Sequence, residues 1–145
     1  MADQQISLQS LSLEQLNGLK SQLENELRQY SSSFGGLKQA QARFKESKLA
    51  IENLTPESEG KNILIPLTSS MYVPGKLKNV SNVLVDVGTG YYVEKNVKDA
   101  SQFMERKVNF LQGNTDSLQE LIEGKRNDLE MVIGFMQQKL KGLEK

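Results

Sequence analysis

The chain has 145 residues, 18 of them basic and 18 acidic, so its formal net charge is zero and it carries no basic footprint for nucleic acid or for an anionic membrane. It contains neither cysteine nor histidine, which excludes a disulfide framework, a thiolate nucleophile, a sulfur-bound zinc and any triad built on an imidazole. At 37% hydrophobic and 25% charged, with no tryptophan, the composition fits one domain of low aromatic content, and no cofactor or metal is implied.

Residues 1–11 are polar, with scattered Ile6 and Leu8, and are expected to fray. No charged leader precedes an apolar run, and no apolar stretch reaches the length that spans a bilayer. A cytoplasmic protein without membrane contact is therefore expected, with a nuclear role left open. Ser12 followed by Gln15 reads as a capping box that opens a helix over 12–54, which Pro56 then ends. Within it every seventh residue from Leu16 is apolar: Leu16, Leu23, Tyr30, Leu37, Phe44 and Ile51. The interleaved series Leu13, Lys20, Leu27, Phe34, Gln41 and Lys48 is half apolar, so one line of the stripe is strict and its neighbour is broken.

From Asn62 the apolar period changes to two. Ile63, Ile65 and Leu67 alternate to one side, and a loop at Thr68-Ser69-Ser70 sets Met71 and Val73 on that same side. Pro66 has no amide donor and is expected at an edge or a bulge, while Pro74-Gly75 reads as turn chemistry that ends the first hairpin. The second hairpin alternates Val83, Val85 and Val87 against Leu84 and Asp86, then passes Gly88-Thr89-Gly90 into Tyr91, Tyr92, Val93 and Glu94. A two-residue turn at Thr89-Gly90 would set Val85 opposite Glu94, a carboxylate on the apolar face. A three-residue loop sets Val87 opposite Tyr91 and Val85 opposite Val93, and is expected for that reason, with Gly90 left-handed.

Asn96 or Asp99 can cap the last helix, expected over 97–144. Here Met104, Leu111, Leu118, Lys125, Val132 and Lys139 alternate with Val108, Thr115, Ile122, Leu129, Met136 and Leu143. Two such stretches of about six heptads predict arms of about 65 to 70 Å. The fold class expected is α+β: a long antiparallel two-helix coiled-coil hairpin with two β-hairpins, over 62–95, between the helices. Two hairpins on a stalk leave an apolar face and open edges, so the strands Ile63, Ile65, Leu67, Met71, Val73, Val83, Val85, Val87, Tyr91 and Val93 are expected to meet partner strands.

The run Ile65-Pro66-Leu67-Thr68-Ser69-Ser70-Met71-Tyr72-Val73-Pro74-Gly75-Lys76-Leu77, followed by Val83-Leu84-Val85-Asp86-Val87-Gly88-Thr89-Gly90-Tyr91-Tyr92-Val93-Glu94-Lys95, closely resembles the alpha class of prefoldin. Four strands between two coiled-coil helices match that class and not the two-strand beta class. The resemblance implies a single domain of this type and a heterohexamer in which the chain joins one further alpha-class and four beta-class subunits. It also implies a double barrel of strands and coiled coils that hang from it. It implies binding of unfolded or nascent polypeptides, notably actin and tubulin, at the coiled-coil tips without ATP, and delivery to the cytosolic group II chaperonin. The tail that usually follows the last helix is expected to be short or absent.

Holding a non-native chain requires apolar surface that is adaptable rather than shaped. The candidates at the free end are Leu11, Leu13, Leu16, Leu19, Val132, Ile133, Phe135, Met136, Leu140 and Leu143, with Met131 beside them. The same residues could instead thicken the helix seam or pack on a neighbouring arm. The competing function class is a structural coiled-coil scaffold or tether with no client-holding activity; off-seam apolar residues at the tip favour the chaperone. An enzyme finds no constellation: Gly88-Thr89-Gly90 lacks the ending of a phosphate loop, and Asp86 and Glu94 have no pocket or metal partners in the sequence. The seam polars Lys20, Gln41, Lys48, Lys125 and Lys139 either extend their stems to water or specify register. Gly35-Gly36 and Gly113 interrupt the helices and read either as a soft joint or as drift on an exposed face.

Overall fold

The capping box at Ser12 forms: its backbone N–H donates to Gln15 Oε1 at 2.9 Å, and the Gln15 N–H donates back to Ser12 Oγ at 3.1 Å. From there α1 runs over Leu13–Glu52. In this computed structural model, which describes residues 7–144, Leu8–Ser10 make a 3-10 turn where the composition predicts fraying; the rest of that lead-in, 1–6, lies outside the described residues. The turn holds because Leu8 and Leu11 pack onto the apolar stripe below them. After α1 the chain turns through Pro56–Ser58, where Pro56 occupies the first helical position and Ser58 folds back on Thr55.

Four strands follow: β1 Asn62–Pro66, β2 Tyr72–Lys76, β3 Asn82–Gly88 and β4 Tyr91–Asn96, paired as two separate antiparallel hairpins, β1 with β2 and β3 with β4. The last helix, α2, spans Val97–Leu143, and Asn96 Oδ1 accepts the Asp99 N–H at 2.7 Å to cap it.

In the first hairpin Ile65 faces Val73 and Ile63 faces Gly75. The Leu77 N–H donates to Lys61 O at 3.0 Å and the Leu67 N–H to Met71 O at 2.9 Å, which fixes the phase of the ladder. Pro66 and Pro74 then fall at alternate positions, opposite Tyr72 and Leu64, where an amide would point away from the partner strand. That corrects one expectation: Pro74-Gly75 does not end the hairpin, because neither proline forfeits a ladder bond and β2 continues to Lys76. Gly75 instead makes room, since a Cβ there would stand 2.6 Å from Ile65 Cδ1.

The second hairpin corrects another. The turn holds two residues, Thr89 at φ 48° and Gly90 at φ 82°, with Gly88 paired to Tyr91. Both central residues are left-handed, the geometry that matches strand twist. Val87 is bulged out, and the bulge restores Val85 opposite Val93 and Leu84 opposite Glu94. Asp86 Oδ1 accepts the Gly88 N–H at 3.0 Å across the bulge. The short turn is thus reached without placing Glu94 on the apolar face.

Two units can be distinguished, Met1–Lys38 with Gly113–Lys145, and Gln39–Gln112. In the first, α1 and α2 run antiparallel around buried Leu16, Leu23 and Val132, with Leu8, Leu11, Leu19, Leu129, Phe135 and Met136 packed on them. In the second, Ile51, Val85 and Ala100 form the core, joined by Val83, Val97, Phe103 and Met104, so β3 lies on the helices by its valine face. Both helices continue through Gly35, Gly36 and Gly113, and no side chain occupies the place of their missing Cβ atoms.

Candidate functional site

Seam positions are read first, because they decide which apolar residues are left over. Gln41 is buried, and its Nε2 donates to Gln112 Oε1 at 2.7 Å and to Val108 O at 3.3 Å. Lys125 Nζ sits 2.8 Å from Glu26 Oε2, and Lys139 Nζ donates to Leu11 O. Lys48 lies between Glu52 at 3.8 Å and Glu105 at 3.9 Å, and Lys20 pairs within its own helix with Glu24 at 3.7 Å. Three of these five polar seam residues therefore reach across to the other helix and Lys139 reaches the lead-in ahead of α1, which favours the register reading over simple extension to water. The Lys125 hydrogen bond, helped by one from Gln22, holds the Glu26 carboxyl below its ordinary range, and the same bond to Glu26 raises Lys125.

With the seam settled, the ten candidate residues of the terminal unit divide by burial. Leu16 and Val132 are spent inside the seam. Leu11, Leu13, Leu19, Ile133, Phe135 and Met136 are half-buried along its sides. Leu140 and Leu143 are exposed, Leu143 at 74%, as is Met131 at 53%. A groove of about 310 Å³ opens here, between buried Leu23 and Val132 and the partly open Leu8, Leu19 and Met131. Its polar lining is Gln22, Glu26, Lys125 and Asp128. Sequence reasoning missed Leu8, although an apolar residue ahead of a helix cap commonly folds onto the first turns. It had no local signal for Glu26, whose partner lies in the other helix.

The strand candidates divide differently. Val85 is buried and Val83 half-buried against their own helices. Ile63, Ile65, Leu67, Met71, Val73, Val87, Tyr91 and Val93 are exposed. So are Leu64 and Tyr72, which alternation places on the opposite face of the first hairpin together with Pro66 and Pro74. Both faces of that hairpin are therefore apolar and uncovered, the pattern of strands that are covered on both sides. The signal was present as an unbroken apolar run, Ile63-Leu64-Ile65-Pro66-Leu67.

Among the described residues no group of three or more acidic side chains could hold a metal, and no helix is long and apolar enough to cross a membrane. Asp86 is taken up by the bulge and Glu94 accepts from Asn82 Nδ2 at 3.2 Å, so each carboxylate serves its own hairpin. The arrangement offers surfaces for binding chains: a helical pair with surplus apolar residues in one unit, uncovered strands in the other.

A family model described as prefoldin subunit matches residues 19–142. The chain is 44% identical to prefoldin subunit 5 of Homo sapiens, over 97% of this chain and 91% of that one. It is 43% identical to a probable prefoldin subunit 5 of Schizosaccharomyces pombe, over 92% of this chain and 88% of that one. Among solved structures, a chain of filamentous PFD from Methanocaldococcus jannaschii superposes with a TM-score of 0.70 at 22% identity, covering 79% of this chain and 95% of its own.

Proposed function

Because the chain belongs to the prefoldin family and so is a subunit of a chaperone complex, we propose that it holds unfolded polypeptides at the free ends of α1 and α2 while its strands join those of sister subunits. The observation that carries the holding role is the exposure of Met131, Leu140 and Leu143 beside a seam already closed by Leu16, Leu23 and Val132. Exposed leucines and a methionine at the end of a charged helix pair suit a ligand without fixed shape, since methionine repacks easily and no rigid pocket is demanded.

The clients on this reading are nascent or denatured actin and tubulin, received without ATP in the cytoplasm and passed to the group II chaperonin. The partners are one further alpha-class and four beta-class prefoldin subunits. Each arm binds weakly, and several arms on one scaffold raise apparent affinity without new contacts. Uncovered Ile63, Ile65, Leu67, Met71 and Val73 support the assembly part, because an isolated hairpin with two apolar faces is marginal in water.

The test replaces Met131, Leu140 and Leu143 with serine in the complex formed with the sister subunits. The intact mass is expected to stay that of a hexamer, and suppression of denatured-actin aggregation to fall several-fold. Unchanged suppression would overturn the holding role and leave the scaffold reading, in which the helix pair only spaces its partners.

A further inference from the structure

The groove of the terminal unit is not charge-neutral. Glu26 and Lys125 face each other at 2.8 Å and cancel, and Gln22 is engaged with Glu26 at 3.1 Å. Asp128 makes no hydrogen bond or ion pair among the described residues and meets Lys125 only through its longer-range field. Its carboxylate thus stands as an uncompensated negative charge beside Leu8, Leu19, Leu23, Met131 and Val132.

Resting on the holding role proposed above, we infer that this groove selects extended apolar segments that carry a lysine or arginine next to the apolar residue. The apolar side chain covers Leu19 and Met131, which are otherwise wetted, and the neighbouring cation meets the Asp128 carboxylate. An acidic neighbour is disfavoured twice, by repulsion from Asp128 and because the lysine of the groove is already taken by Glu26. An incoming cation meets little competition, because Lys125 is bonded to Glu26 and reaches Asp128 only through its longer-range field. The preference is that of a single pair at a wetted rim, about two- to fivefold, and it falls as salt is added. For a chaperone arm this is a sorting device, since it favours apolar stretches that in a folded protein border on basic residues.

The experiment uses the full chain assembled with its sister subunits and two unstructured peptides with the same leucine–phenylalanine centre, flanked by lysine in one and glutamate in the other. Each peptide carries a photo-crosslinker, and adducts to this chain are separated by mass from adducts to its sisters. The lysine peptide is expected to give two to five times more adduct, Asp128→Asn to equalise the two, and Asp128→Lys to reverse them. Equal yields with the unaltered chain, or a preference that survives Asp128→Asn, would overturn the inference and leave the holding role standing. If neither peptide forms an adduct, the groove assignment fails. The holding role fails with it only if denatured actin also goes uncaptured in the same preparation.

Discussion

Glu26 and Lys125 form the pair whose consequences can be followed through pH. The folded state lowers the Glu26 carboxyl and raises the Lys125 amine, each because of the hydrogen bond to the other. A lowered carboxylate stabilises the folded chain above its unfolded titration range and loses that contribution as pH falls through it; a raised amine loses its contribution as pH rises through the lysine range. Thermal unfolding of Glu26→Gln should therefore lie below that of the parent chain at neutral pH, and the gap should close in acid as carboxylates protonate. A gap that stays constant with pH would show that the charges of the pair add nothing. Gln41 makes a different case. It is buried and bonded to Gln112 and Val108, so Gln41→Leu exchanges a satisfied amide for an apolar side chain of similar size. Stability is expected to change by less than about 1.5 kcal/mol, whereas Gln41→Ala, which leaves a void between the helices, should cost about 1–3 kcal/mol. Denaturant midpoints of the two variants decide between a packing role and a polar one.

Among the elements, the second hairpin is the one in which two local rules conflict. The cross-strand rule asks for Val85 opposite Val93; the turn rule asks for two residues with positive φ. The chain satisfies both by bulging Val87, and the remaining strain sits on Thr89, a β-branched residue at φ 48°. Replacing it with asparagine, which tolerates that region, should stabilise the hairpin by about 1 kcal/mol without altering the Val85–Val93 pairing, as amide exchange in β3 and β4 would report. In the helices the elements obey one rule throughout. Nearly every heptad position of α1 and α2 is buried or half-buried, and the exception, Leu143, lies at the last residue of α2. Gly35, Gly36 and Gly113 do not break either helix, and no packing contact requires glycine at these positions.

For the molecule as a whole, the two units face different physical demands. The terminal unit closes its seam and still exposes apolar side chains; the strand-bearing unit buries one face of β3 and leaves the first hairpin bare on both sides. A chain with that much uncovered strand is expected to depend on other subunits for its solution behaviour. Serine at both Ile65 and Val73 should leave the helical circular dichroism intact and abolish incorporation into the prefoldin complex, read as a loss of this chain from the assembled peak in size-exclusion chromatography. Full incorporation of the double variant would mean that assembly runs through a surface other than this hairpin.

Much of this was determined by the sequence alone, because the periods that carry it are local. Spacings of three and four predict the paired helices, the switch to two at Asn62 predicts the strands, and Ser12 with Gln15 predicts the helix start, since each involves neighbours a few residues apart. Tertiary structure decided what depends on residues far apart in the chain. Whether Lys125 reaches water or Glu26, whether Leu16 serves the seam or the surface, and how the Val87 bulge reconciles turn with register are each set by a partner strand or helix. The candidate site was legible only as a pool of apolar residues near the chain ends. Which of them remain exposed is what is left after the helices close on each other, and only the packed structure performs that subtraction.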